Sequence, residues 1–163
     1  MNTREITASL AGLFSELVDG PPQTAAYVLN RGDVGLLRSL DKLSPAAASA
    51  THGGGASIAA HVDHIRYGLS LLNRWAKGEN PWADADWGAS WKRNKVDERQ
   101  WADLRDRLCR EIAAWQETLR RPRDVDDAEL NGMIGSIVHV AYHIGAIRQI
   151  DRSIGGPADP MLT

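Results

Sequence analysis

Four of the chain's five histidines fall in two short clusters, His61 and His64 in AAHVDHIRYG, and His139 and His143 in IVHVAYHIGA. On a helix, residues four apart lie one turn above each other, so His139 and His143 present both imidazoles to the same side. Such a pair chelates one metal ion. A third ligand from a facing helix completes a triad, and a divalent ion held by three neutral imidazoles keeps a position open for water, thiol or substrate. The plain alternative is a hydrogen-bonded core pair, because an i, i+4 spacing arises by chance in many helices. The neighbours argue against it. Val138, Val140, Ala141 and Ile144 make apolar surroundings in which two unpaired imidazoles are costly, and a shared metal satisfies both.

Other side chains carry weaker signals. Asp63 adjoins His64, but helix neighbours point about 100° apart, so it reads as a surface or capping carboxylate and not as a fourth ligand. Tyr67 and Tyr142 bring hydroxyls near the clusters, with aromatic packing as their default role. Arg66 and Arg148 suit an anionic substrate or, more commonly, a solvated helix edge. Cys109 follows Leu108 on the flank of an apolar stripe, with no histidine nearby in sequence, and is expected to be a buried, inert thiol. The segment NPWADADWGASW concentrates Trp82, Trp87 and Trp91. These indoles either close one end of the core or form a wall of a substrate pocket.

Four helices are expected to position these groups. The first spans roughly Thr3 to Val18, with Ile6, Leu10, Leu13, Phe14 and Leu17 at spacings of three and four, and Gly20-Pro21-Pro22 stops it. Residues Thr24 to Leu43 read as a connection with a short helical piece carrying Leu36, Leu37 and Leu40. Ser57 is an acceptable N-cap for the second helix, which runs to about Lys77 and ends at Gly78. The third starts at Asp97, with Gln100 as its capping-box partner and Val96 and Trp101 as a hydrophobic staple. Its stripe of Trp101, Leu104, Leu108, Ile112, Trp115 and Leu119 ends before Pro122. The fourth begins between Asp127 and Met133 and continues to about Arg152. No alternating strand pattern intervenes, so the fold class is all-α, a four-helix bundle in one domain over 1–163, with a long Trp-rich loop between helices 2 and 3.

Composition narrows the partners. The 163 residues are 43% hydrophobic and 25% charged with a formal net charge of -2, the balance of a globular domain. Basic residues are interspersed with acidic ones, as in DERQWADLRDRLCRE, so no basic stripe tracks a nucleic-acid backbone. A single cysteine excludes an internal disulfide and a cysteine-based zinc cluster. Neither a secretory signal nor about 18 consecutive apolar residues is found. A cytoplasmic protein without nucleic-acid or membrane partners is expected.

The segment SIAAHVDHIRYGLSLLNRW, followed much later by HVAYHIGAIRQI, resembles the DinB/YfiT-like superfamily, whose fourth helix carries an HxxYHxGQ pattern. The likeness runs from about Ile6 to Ile150. Members of that family bind a divalent metal, often zinc or nickel, through one histidine of the second helix and two of the fourth. The resemblance implies His139 and His143 as two ligands. Counting about seven residues from Ser57 implies His64 as the third, with His61, one turn earlier, as the alternative. One departure is visible: Ala146 stands where the family often has Gln, which removes that amide from any bond around the metal. Some members transfer a low-molecular-weight thiol such as bacillithiol or mycothiol to an electrophile, or isomerise a thiol adduct. The resemblance thus implies a metal-dependent S-transferase or isomerase acting on a small molecule, with a metal-dependent hydrolase or a non-enzymatic stress-response bundle as alternatives. A homodimer is expected from the fourth helix, where Ile134, Ile137, Val138, Val140, Ala141, Ile144, Ile147 and Ile150 cover more of the circumference than one core requires. The alternative is that the connection from Thr24 to Leu43, with Tyr27, Val28, Leu36 and Leu37, folds back over the same face.

Overall fold

In the computed structural model, which describes residues 3–157, each helix starts or stops where a residue supplies or removes a backbone hydrogen bond. Helix α1 (Thr3–Asp19) ends at Gly20, whose N–H donates to the Glu16 carbonyl at 2.9 Å and whose φ of +95° turns the chain. A Cβ at Gly20 would lie 2.5 Å from the Asp33 carbonyl oxygen, so the turn requires glycine. Two short helices follow, α2 (Gly35–Asp41) and α3 (Pro45–Ala48), the latter capped by Ser44 with Pro45 in its first turn. Helix α4 (Ile58–Trp75) is capped by Ser57, which accepts from the Ala60 N–H at 3.2 Å. It stops at Trp75, two residues short of Lys77, and Gly78 at φ +88° closes the end by donating to the Trp75 carbonyl.

The connection that follows contains a 3-10 turn (Pro81–Ala83) and helix α5 (Trp87–Ser90), so the expected Trp-rich loop is partly helical. Helix α6 (Glu98–Arg120) opens with the expected capping box, Gln100 N–H to Asp97 Oδ1 at 2.8 Å and Asp97 N–H to Gln100 Oε1 at 3.0 Å. Helix α7 (Asp127–Ile150) is capped by Asp126 and followed by a 3-10 turn, Arg152–Ile154. Asp127 and Glu129 in its first turn and Arg148 in its last complement the helix dipole.

Among the described residues every regular element is helical. Helix α4 packs on α6 and α7, α1 packs on the same two, and α2 covers α1 and one edge of α6. Their facing stripes form one core around the fully buried Phe14, Leu17, Ile58, Ile65, Leu108 and Trp115. The two core indoles are also tied by polar bonds, Trp101 Nε1–H to the Leu43 carbonyl at 3.0 Å and Trp115 Nε1–H to Ser136 Oγ at 2.9 Å. The single-domain expectation extends over residues 1–2 and 158–163, which lie outside the described residues.

One expectation needs correction. Cys109 is exposed, because its place beside Leu108 turns it just past the edge of the buried stripe. Its thiol pKa is raised, first by partial desolvation and then by Asp41 and Asp106, which favours the unreactive thiol form. Helix α7 is long and apolar enough to cross a membrane by length and composition alone, and it contains no unbroken run of about 18 apolar residues. One side of it is accounted for by the core through Met133, Ile137, Val140, Ile144 and Ile147.

Candidate metal centre

Helix α4 carries His61 and His64 toward α7, and α7 carries His139 and His143 toward α4. One potential ligand atom from each of His64, His139 and His143 lies within 4.8 Å of the others. His143 is central and 2% exposed. Its Nε2 is 3.0 Å from His139 Nε2, and its Nδ1 is 2.9 Å from His61 Nδ1. The His64 ring lies 5.0 Å, centroid to centroid, from both His139 and His143.

The tautomer of His64 follows from its hydrogen bonds. Ser90 Oγ donates its one proton to the Trp87 carbonyl at 2.8 Å, so it can only accept from His64 Nδ1 at 2.9 Å. His64 therefore carries its proton on Nδ1 and has a free lone pair on Nε2. A hydroxyl holding the non-ligating nitrogen is the arrangement that orients a metal-binding imidazole. Nitrogens on a tetrahedral ion with bonds of roughly 2.0–2.1 Å sit about 3.3 Å apart, and the 3.0 Å between the Nε2 atoms of His139 and His143 is close to that spacing. The donor set fits a divalent ion of borderline softness.

All four imidazoles are held neutral. Burial lowers the pKa of His143 to about 3, assisted by His139, His64 and His61. Burial also lowers His64 to about 4, with His139 and His61 adding to the shift and Asp63 opposing it. Burial lowers His61 and His139 as well. Neutral imidazole is the form that binds metal. Because the folded pKa of His143 lies below its ordinary 6.5, the unfolded chain takes up a proton between those values that the fold excludes. The metal-free protein is thus expected to lose stability as pH falls from about 6.5 toward 4. Urea midpoints at pH 7 and pH 5 measure this, and equal midpoints would contradict the burial of the cluster.

The segment after α4 forms a roof over the histidines. Trp91 stacks on His64 with centroids 4.3 Å apart and planes inclined by 26°, and Trp87 packs against His64 and Tyr67. Besides the His64–Ser90 bond, further ties fasten the roof to α4. The Asp86 N–H donates to Tyr67 Oη at 2.8 Å, Arg93 Nε–H donates to Asp63 Oδ2 at 3.0 Å, and the Ser57 N–H donates to Asn94 Oδ1 at 3.2 Å. Asp63 is therefore not a surface carboxylate: it is buried and also accepts from Arg66 Nε at 2.6 Å. Asp63→Asn is expected to cost about 1 kcal/mol, a charge-assisted hydrogen bond discounted for the exposure of Arg93, and to loosen the roof. Denaturation and tryptophan emission should both change, and a variant identical to wild type in both would remove Asp63 from this role.

Sequence reasoning brought His64, His139 and His143 to one place but missed Ser90 and the burial of Asp63. Arg148, considered for an anionic ligand, instead donates from a terminal guanidinium nitrogen to buried Asp33 at 2.9 Å, and Arg66 is engaged by Asp63. Tyr142 is 70% exposed, with its ring edge-on to His143. No curated protein and no solved structure matches the chain. A family model does match residues 31–146, which include both histidine clusters and more than half of the 163 residues, and by that match the chain belongs to the DinB superfamily.

Proposed function

We propose that the protein is a four-helix bundle, formed by α1, α4, α6 and α7, that binds one divalent ion, zinc or nickel, through the Nε2 atoms of His64, His139 and His143. The observation that carries this is the convergence of three neutral imidazoles from two helices, one of them held by Ser90 in the tautomer that presents Nε2. When bound, such an ion stabilises a thiolate near neutral pH or lowers the pKa of bound water toward about 7.

The reading extends to a cytoplasmic enzyme that transfers a low-molecular-weight thiol to a small electrophile. In that reaction the thiol loses its proton, a sulfur–carbon bond forms, and the leaving group departs with the electron pair of the bond it breaks. The chain contributes a neutral, largely buried ligand set and a roof of Trp87 and Trp91 that limits water at the cluster. Metal analysis of purified protein should give about one ion per chain. Protein loaded with that metal should then consume free thiol only when an electrophile such as monochlorobimane is present, and metal-stripped protein should not. Metal retained without thiol consumption would remove the transferase and leave the metal-binding bundle.

A homodimer belongs to the same proposal. Ile134, Val138 and Tyr142, spaced by four on α7, are 42%, 61% and 70% exposed and form one apolar stripe. The 24–43 segment does not conceal it, since α2 packs on α1 and α6 and Tyr27 and Val28 are themselves exposed. Sedimentation at micromolar concentration should give the dimer mass, and Val138→Glu should raise the dimer dissociation constant by about tenfold or more. A wild-type monomer would overturn the dimer without touching the metal site.

A further inference from the structure

A cavity of about 230 Å³ opens between α4 and α7, with His139 in its wall and Trp82 and Trp87 across it. Helix α4 supplies Gly68, Leu69 and Leu72, and α7 supplies Gly132, Gly135 and Ser136. Gly68 keeps it open. A Cβ at Gly68 would meet His139 Cε1 at 3.3 Å and Trp87 Cζ3 at 3.6 Å, so a side chain there would fill the space between the imidazole and the indole.

The lining decides what fits. No charged side chain contributes to it, and its one hydroxyl, Ser136 Oγ, already donates to the Met133 carbonyl and accepts from Trp115 Nε1. The wall's other polar side-chain group beside the indoles is the His139 imidazole, with Nδ1 3.5 Å from where a Gly68 Cβ would lie. A charged or sugar-like group would therefore lose its water here for few partners. Two indole rings, by contrast, favour a flat apolar group. An apolar protein cavity of about 150 Å³ holds benzene, so this one has room for a substituted ring.

We propose that this cavity receives the aromatic or similarly flat apolar part of a small substrate whose reacting end lies at the three histidines. The inference rests on reading that cluster as the metal centre. It assigns the hydrophilic part of a thiol co-substrate to the outside of the cavity and the ring to the electrophile or to an aryl thiol.

Gly135 offers the test. It lies within α7 at ordinary helical φ, and a Cβ there meets nothing within 4 Å, so Gly135→Leu favours the helix while occupying the cavity mouth. Calorimetry on zinc-loaded protein compares benzyl mercaptan with 2-mercaptoethanol, and metal-stripped protein is titrated with benzyl alcohol. Wild type should bind benzyl mercaptan about tenfold or more tighter than 2-mercaptoethanol, from burial of the ring. Gly135→Leu should cut that preference to about twofold or less at undiminished zinc content. Trp82→Ala, at a half-exposed site, should lower it by about threefold and carries the test if the leucine variant misfolds. Equal binding of the two thiols by wild type, or a preference unchanged in both variants, would overturn the proposal. Should the protein hold no zinc, the metal reading fails by itself and benzyl alcohol decides: binding that Gly135→Leu or Trp82→Ala weakens supports the cavity, and no binding by wild type overturns it.

Discussion

Replacing His143 by alanine is expected to lower affinity for a divalent ion by more than about 100-fold, since losing an outer hydrogen-bond partner of a ligand alone costs 10–100-fold. His143 is the most buried of the three proposed ligands, and its two nitrogens meet His139 on α7 and His61 on α4. Removing it leaves His139 and His64 with no third nitrogen between them, and two ligands hold an ion far less tightly than three. The fold should survive, because the core on either side of His143 rests on Val140, Ile144 and Ile147. Metal content after dialysis against a weak chelator and a zinc titration by competition would measure the loss, with circular dichroism as the control for folding. Unchanged metal content in a folded variant would sink the triad and leave family membership standing for the fold alone.

What was legible in the sequence was local. Asp97 and Gln100 announce the start of α6 because a capping box is closed within four residues, and Ser57 does the same for α4. The His139 and His143 pair is legible for the same reason, since helical spacing alone places both rings on one side. Helix α3 carries an equally local sign, Ser44 followed by Pro45, that the sequence reading did not take up.

What was not legible depends on partners distant in sequence. Asp63 is engaged by Arg66 within the same helix and by Arg93, thirty residues on, and nothing in AAHVDHIRYG records the second contact. The tautomer of His64 is set by Ser90, and its stacking partner is Trp91, both on a connection whose path is fixed by tertiary ties. The choice for the three tryptophans, core or pocket wall, was undecidable for the same reason: Trp82 and Trp87 are 47% and 40% exposed beside His139 and do not close the core. Cys109 shows the limit of periodicity, for one step along a helix is enough to move a side chain from a buried stripe to the surface.

His64→Ala is expected to reduce metal affinity by more than about 100-fold and His61→Ala by about tenfold, the difference between a ligand and a positioning partner. The hydrogen bonds argue the assignment. If His143 gives its Nε2 lone pair to the ion beside His139 Nε2, its proton resides on Nδ1 and is donated to His61 Nδ1 at 2.9 Å. His61 then accepts through Nδ1, carries its own proton on Nε2, and acts by fixing the orientation of His143. His64 is placed differently, with Nδ1 occupied by Ser90 and Nε2 free. His61→Asn, which keeps a side-chain acceptor, should recover part of the affinity lost in His61→Ala, whereas His64→Asn should recover little. The two variants also differ without metal: His64→Ala removes the ring stacked on Trp91 and should shift tryptophan emission, and His61→Ala loses only an edge contact with Trp91 at 5.3 Å. Equal losses, or a larger loss for His61→Ala, would mean that the α4 ligand is His61 and that Ser90 serves only the roof.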